Sequence, residues 1–412
     1  MRNYLVFLRR CLSETFKGGW QYYTWMTLLT ILSLIGLHAY CKQFVDGLIT
    51  TGMTDQVSWG VYIANFTFLV GMAAAAVMLV VPAYIYKDES FHDITIFGEL
   101  LAVAAIVMCL MFVTVDLGRP LLFWHLIPGI GRFNWPVSML SWDVVALDGY
   151  LLLNVWICGN LIYAEYCGRR PSKLFYIPFV FIAMVWAISI HTFTAFLYMG
   201  LGARPFWNSA IVAPRFLASA FTSGPAFLVL TLQIVRHYTP YHVANVVLLK
   251  LRAIIQVAMI INVFLLLCEL FKEFYTISHH VASAEYLFFG LYGHFALVPW
   301  IWTAVAFNSI ALILLILPQS RGLRYLNVAC VLSILGIWVE KGMGLVIPGF
   351  VPTPLGEIVE YTPTVDETLV CFGIWAFGLL LYTIFLKATI PVLTGAVRAP
   401  QPDALPKRPE VS

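Results

Sequence analysis

Several residue types with proton chemistry recur where long apolar runs begin or end. Asp116 and Arg119 close one such run, Asp143 and Asp148 open the next, and His191 sits inside another. An ionisable group at the centre of a membrane helix costs at least about 2.5–3.5 kcal/mol, so each needs a partner, a water cavity or a function. Carboxylates and imidazoles can take or release protons. Nearby, Trp59 and Tyr62 are about one helical turn apart, with Asn65 and Phe66 one turn deeper. Aromatic walls, a few hydrogen-bond donors and a proton acceptor suit a planar ring with two carbonyls whose protons travel with its electrons. Asp143 and Asn154 are eleven residues apart, which at about 100° per residue returns to within roughly 20° of one helix face, so both can line one polar cleft. Glu99, Asn154, Glu165 and Glu269 place polar groups near both ends of the spans and suggest a proton path.

Each of these groups also has a structural reading. Trp and Tyr belong to membrane interfaces in any case. Asp116 and Arg119 fit an i,i+3 ion pair that ends a helix before Pro120. His191 fits a satisfied core histidine, and Glu340 and Lys341 fit a pair that neutralises itself near an interface.

The elements that position these residues follow from composition. The chain is 61% hydrophobic and 11% charged over 412 residues, against roughly 45–50% apolar and 25% charged in soluble domains. Val57–Tyr86, Leu174–Ala203, Phe216–Val235, Tyr286–Ser320 and Thr368–Leu386 contain no Asp, Glu, Lys or Arg. Each is long enough for a hydrocarbon core of about 30 Å, which takes about 20 residues. Trp20–Tyr40, Ile94–Val115, Trp142–Tyr163, Ala253–Leu270 and Tyr325–Gly344 are shorter or carry an ionisable group. The expectation is an all-α polytopic transmembrane protein of about ten helices. A barrel would alternate, whereas these runs are apolar on every face.

With the N-terminus inside, the inner segments carry 17 of the 24 Lys and Arg, so both termini are expected in the cytoplasm. The first span follows a long basic segment without a small-residue cleavage site and is expected to stay. The net charge of +3 follows this asymmetry and gives no reason to invoke nucleic acid. Gly342–Glu367 is Pro-rich and acidic, with Glu357, Glu360, Asp366 and Glu367, and suits either a docking partner or a solvated loop. Gly71 and Ala73–Ala76 allow close helix packing. The tail from Ala399 to Ser412 is expected to be disordered. The eight cysteines form no C-x-x-C pair, so neither an iron-sulfur cluster nor a zinc site is spelled out. His38, His191 and His294 fall in outer halves but lack the spacing of stacked haems. Gly224-Pro225 gives some footing to a secondary transporter, whose helices break at the midplane. A haem-bearing cytochrome b is the other alternative.

Longer motifs are more specific. Val115-Asp116-Leu117-Gly118-Arg119-Pro120, Ser138-Met139-Leu140-Ser141-Trp142-Asp143, and Gly202-Ala203-Arg204-Pro205-Phe206-Trp207-Asn208 followed by Pro214-Arg215-Phe216-Leu217 resemble the NrfD/PsrC (polysulfide reductase) family of membrane subunits, from about Ser58 to Ile390. Trp338 to Phe350 together with Glu360-Tyr361-Thr362-Pro363-Thr364 is similar to the DsrP branch of that family and its relative QrcD. The resemblance implies two four-helix bundles, 57–203 and 208–344, within a transmembrane domain of 20–390, between a cytoplasmic segment 1–19 and a tail 391–412. It implies a menaquinone or other quinone bound near the outer face, with neither haem nor iron-sulfur cluster in this chain. The implied partners are a periplasmic ferredoxin-type iron-sulfur subunit, a multihaem cytochrome c and further membrane subunits in a prokaryotic cytoplasmic membrane. It maps the quinone pocket onto Trp59, Tyr62, Asp116, Arg119, Asp143 and His191, with Asp116, Asp148 or His191 handling protons. Where shorter members have an arginine in the ninth helix, this chain has Glu340-Lys341, and no role is carried over there.

Overall fold

The computed structural model describes residues 2–169, 173–276, 281–320 and 322–399. Ten helices are long and apolar enough to cross a membrane: α1 Trp20–Asp46, α2 Val61–Ile85, α3 Thr95–Asp116, α4 Met139–Tyr166, α5 Lys173–Met199, α6 Val212–Tyr238, α7 Asn245–Thr276, α8 Val298–Ile316, α9 Leu323–Lys341 and α10 Val365–Leu393. A helix satisfies its own backbone, which is what hydrocarbon demands of a spanning segment. The protein is a multi-pass integral membrane protein, and the described residues contain no strand, only an isolated bridge between Leu291 and His294.

Neighbours in sequence are neighbours in space. In the first half α2 packs on α3, α3 on α4 and α4 on α5; in the second, α6 packs on α7 and α9, and α8 on both α7 and α9. The halves meet where α6 crosses α2 and α5 and where α9 touches α2. Helices α1 and α10 form a pair, and α10 lies along α3. Their backbones cross at Gly36 and Gly373, where a Cβ on Gly36 would fall 2.5 Å from the Gly373 Cα. Only glycine permits that approach. Gly71 of α2 also faces α6, but less tightly: a Cβ there would meet Ala220 at 3.5 Å, an ordinary contact.

Three details depart from the sequence reading. The apolar run Tyr286–Ser320 is two elements, the end of a short helix Val281–Phe288 and all of α8. The backbone turns between them at Gly290, Tyr292 and Gly293, with φ of 84°, 48° and 90°, a region that glycine enters without strain. Helix α6 runs unbroken through Pro225, so Gly224-Pro225 does not make the discontinuous helix expected of a transporter. The irregular span is α2 instead, which ends in a π-helical turn at Val81–Ile85 containing Pro82, a residue that removes a backbone donor. The tail's expected disorder concerns residues that lie, beyond Ala399, outside the described part.

The N-terminal helix Arg2–Thr15 packs Phe7 and Cys11 against Tyr166 and Val392. Tyr4, Leu5, Leu8 and Leu12 stay exposed, as suits a helix lying in an interface.

Candidate functional site

The ends of α1, α3, α5, α7 and α9 and the starts of α2, α4, α6, α8 and α10 share one face, the loop face. Tyr62, Gln43 and Val115 show how they are tied. The Tyr62 hydroxyl donates to Gln43 Oε1 at 2.6 Å, and Gln43 Nε2 donates to the Val115 carbonyl at 2.7 Å. Tyr62 is fully enclosed by this link between α1, α2 and α3.

Asn65 is a second knot. Its Oδ1 accepts from the indole N–H groups of Trp338 at 2.9 Å and Trp375 at 2.8 Å, joining α2 to α9 and α10. Trp59 belongs to an aromatic cluster, with ring centroids 5.5 Å from Trp207, 5.6 Å from Tyr198 and 5.8 Å from Phe350. Trp207 is buried, and its N–H donates to the Leu345 carbonyl at 2.8 Å. Arg204 stacks over the Phe350 ring at 4.9 Å and donates to the Phe350 carbonyl at 3.2 Å. Motif residues 202–208 thus clamp the segment that follows α9.

Proton-active groups lie just below these knots. Asp143 Oδ1 accepts from Thr194 Oγ1 at 2.7 Å, joining α4 to α5. On α5 the hydroxyl of buried Tyr198, one turn beyond Thr194, is 2.5 Å from Thr67 Oγ1 of α2. Asp116 Oδ1 is buried without a hydrogen-bond partner, and no ion pair joins Asp116 to Arg119 among the described residues. Arg119 and Asp148 are exposed, Asp148 on a side of α4 turned away from the buried Asp143. His191 is 1% exposed. Its Nδ1 faces the Ala187 carbonyl at 3.0 Å, which leaves Nε2 as the acceptor of the neutral ring. Nε2 has no partner and lines a cavity of about 10 Å³ with Thr67, Ser219, Ser223 and Lys341.

The second half carries a cluster that sequence reasoning does not assemble. Arg215 of α6 pairs with Glu269 of α7 and, at 2.7 Å, with Glu340 of α9. Glu340 Oε2 also accepts from Asn308 Nδ2 at 2.7 Å and Asn262 Nδ2 at 3.4 Å. Lys341 Nζ stands 4.0 Å from Glu340 and 5.4 Å from the Phe216 ring. Glu340 therefore answers Arg215 more closely than Lys341. Two cations and two anions give zero net charge, and buried charges persist only when so paired. A second cavity of about 20 Å³ is lined by Arg215, Glu269, Glu273 and Glu340. Glu269 thus belongs to this cluster and not to a line with Glu99. The sequence signal is the pair of charges at 340–341; a partner 125 positions away leaves no local trace.

On the opposite face, Cys158 Sγ donates to Glu99 Oε2 at 3.6 Å. Glu99, Tyr150 and Asn154 line a cavity of about 10 Å³, and Asn154 Nδ2 donates to the Tyr150 carbonyl at 2.8 Å. Asp143 and Asn154 are both buried, yet they serve different sites at different depths. Glu165 is exposed.

The polysulphide reductase NrfD family model matches residues 50–352, nearly three quarters of the chain. The chain belongs to the NrfD family. Among its relatives is the Hdr-like menaquinol oxidoreductase integral membrane subunit of Archaeoglobus fulgidus, 24% identical over 90% of this chain and 94% of that one. Another is a putative membrane subunit of dimethyl sulfoxide reductase from Halobacterium salinarum, 25% identical over 88% and 90%. A selenate reductase subunit of Mesobacillus selenatarsenatis is 24% identical over 89% and 94%.

In this NrfD-family chain the acidic loop after α9 is largely spoken for. Glu367 caps α10 in a reciprocal box with Thr364 and accepts from the Tyr361 hydroxyl and from Gly52 N–H at 3.0 Å. Tyr361 in turn accepts from Val61 N–H at 2.9 Å. Burial and the Glu367 carboxylate push the Tyr361 phenol pKa up, so it stays a donor. Asp366 pairs with Lys42 at 2.5 Å, and Glu360 lies 3.3 Å from His294. Glu357 remains exposed.

Proposed function

We propose that this chain is the quinone-exchanging membrane subunit of a respiratory oxidoreductase complex, with the quinone ring held at the loop-face end of α2–α5. The observation that carries the reading is the buried Asp116 Oδ1 left without a partner at the loop-face end of α3, in the same bundle end as the buried Asp143 held by Thr194 and Tyr198 held by Thr67. A carboxylate in that state is suited to accept a proton as a quinol gives up its electrons. Family membership and the Archaeoglobus relative, a menaquinol oxidoreductase subunit, support a menaquinone-class substrate. Of the aromatic residues proposed for the pocket, Trp59 is half-buried and can form a wall, whereas Tyr62 and Asn65 hold the walls together.

The excess of Lys and Arg on the other side supports a loop face outside the cytoplasm and both termini inside. Electrons then pass to or from a periplasmic ferredoxin-type iron-sulfur subunit seated on the loop face, where exposed Arg119, Trp124, Trp135 and Leu355 stand. This chain contributes no redox centre of its own in that scheme. The segments Trp338–Phe350 and Glu360–Thr364 favour an assembly of the DsrP or QrcD kind, with a multihaem cytochrome c and further membrane subunits.

Asp116→Asn in the assembled complex tests the reading. Quinol-dependent turnover should fall by about 10²–10⁴, the usual worth of a positioned proton acceptor, with the complex intact. Unchanged turnover would remove the site. A visible absorption spectrum of the purified chain, with no haem band expected, tests the electron route.

A further inference from the structure

Glu340 and Lys341 are consecutive, yet each lines a different cavity. Lys341 borders the smaller one together with His191, while Glu340 borders the larger one with Glu269 and Glu273. The two cavities, about 10 and 20 Å³, are each at or above the roughly 10–15 Å³ that admits a water molecule. Their walls collect unpartnered buried polar atoms: His191 Nε2 in the first, Glu269 Oε1 and Glu273 Oε2 in the second. Glu269 and Glu273 are one turn apart on α7, so their free oxygens face the same space. Glu273 is 2% exposed, but its Oε1 accepts at 2.9 Å from Lys272, whose side chain is 48% exposed.

We infer that protons pass between the quinone site and the surface at Lys272 through the second half of the protein, by way of His191, Lys341, Glu340, Glu269 and Glu273. The inference rests on the quinone site proposed above. The Lys341 ammonium first gives a proton, by way of water, to Glu340 4.0 Å away, and the amine so formed takes up through water the proton held on His191 Nε2. Water in the larger cavity then connects Glu340 with Glu269 and Glu273. Each hop breaks one N–H or O–H bond and makes another, and no electron moves. Arg215 holds Glu340 and Glu269 on one guanidinium but does not itself release a proton. Lysine does, and that separates its role from a merely charge-balancing one. The hydroxyls of Ser219 and Ser223 donate to the Phe216 and Ser219 carbonyls at 2.9 and 3.0 Å, leaving their oxygens free to accept from water in the smaller cavity. Thr67, which also lines that cavity, is bonded to Tyr198 of α5, and Thr194 one turn before Tyr198 donates to Asp143. The link between the halves thus runs from the Asp143 carboxylate of α4 to carboxylates in α7.

The test uses the intact complex with Lys341→Arg, which keeps the charge and loses the releasable proton. Three quantities are read: affinity for a quinone-headgroup inhibitor, quinol-dependent turnover, and the solvent deuterium isotope effect on turnover. The expected result is wild-type inhibitor affinity, turnover reduced at least tenfold and a larger isotope effect. Wild-type turnover with an unchanged isotope effect in Lys341→Arg, while Asp116→Asn is inactive, overturns the route and leaves the quinone site standing. Wild-type turnover in both variants overturns the site and the route together. If Lys341→Arg does not assemble, Glu273→Gln at the far cavity carries the test, with the same slowing expected and a wild-type rate counting against the route.

Discussion

Arg215 Nη2 lies 2.7 Å from Glu340 Oε1, joining α6 to α9 inside the apolar part of the protein. The same guanidinium holds Glu269 of α7, so one side chain pairs with two carboxylates from two helices. Arg215→Met leaves two buried acids with Lys341 as their remaining cation, 4.0 Å from Glu340, and a broken buried pair costs about 3–5 kcal/mol. The expected outcome is a sharply lower melting temperature in detergent and poor recovery of folded protein. Lysine at this position restores the charge but not the two-pronged geometry, and should recover only part of the loss.

Asn65→Leu removes the oxygen shared by Trp338 and Trp375. Each indole N–H left without an acceptor costs about 1–3 kcal/mol. Melting temperature should fall. Tryptophan fluorescence should also shift, because two of the rings lose their anchor; an unchanged emission spectrum would show that the knot is unimportant.

Gly60→Ala probes the strap between α9 and α10. A Cβ there would sit 2.4 Å from the Tyr361 hydroxyl oxygen, pushing Tyr361 away from Glu367 and from Val61 N–H. Overpacking of this kind costs about 1–3 kcal/mol. Limited proteolysis should cut between residues 350 and 364 sooner than in the unaltered chain, whereas equal cutting rates would mean that the strap tolerates the methyl group.

Asp88 gives a pH dependence on the face opposite the site. Hydrogen bonds from Lys250 and then Ser90 hold its carboxyl below the ordinary value of 3.8. A lowered folded-state pKa means that the carboxylate stabilises the protein above the unfolded value, and the contribution is lost as pH falls through the folded value. The melting temperature of wild type should exceed that of Asp88→Asn near neutral pH, with the gap closing under acid. A gap that stays constant down to strong acid would exclude the carboxylate as its source.

Individual residues show what can be read along the chain. The charges at Asp116, Asp143 and His191 are legible as costly groups in apolar surroundings, and the fold places all three at the loop-face end of α3–α5. Asp148 is separated from Asp143 by five residues, which puts it on another side of α4, where it is exposed. Trp59, Tyr62 and Asn65 share a short stretch of chain and suggest one wall. Only their partners reveal that Tyr62 answers Gln43 and that Asn65 answers two tryptophans more than 270 positions away. Glu269 suggests a path with Glu99, but its cation sits on α6.

Reading along the chain is enough to tell that this protein is built for a bilayer, to mark the ten stretches apolar enough to cross it among the described residues, and to recognise its family. Solvation and backbone satisfaction act locally, residue by residue, so apolar run length carries them. Tertiary structure alone decided which polar groups meet. Hydrogen bonds and ion pairs in hydrocarbon act over a few ångströms between helices far apart in sequence, and a helix face does not announce its partner. For that reason the Arg215 cluster, the double role of residues 340 and 341, and the two cavities they border became visible only when ten helices were packed together.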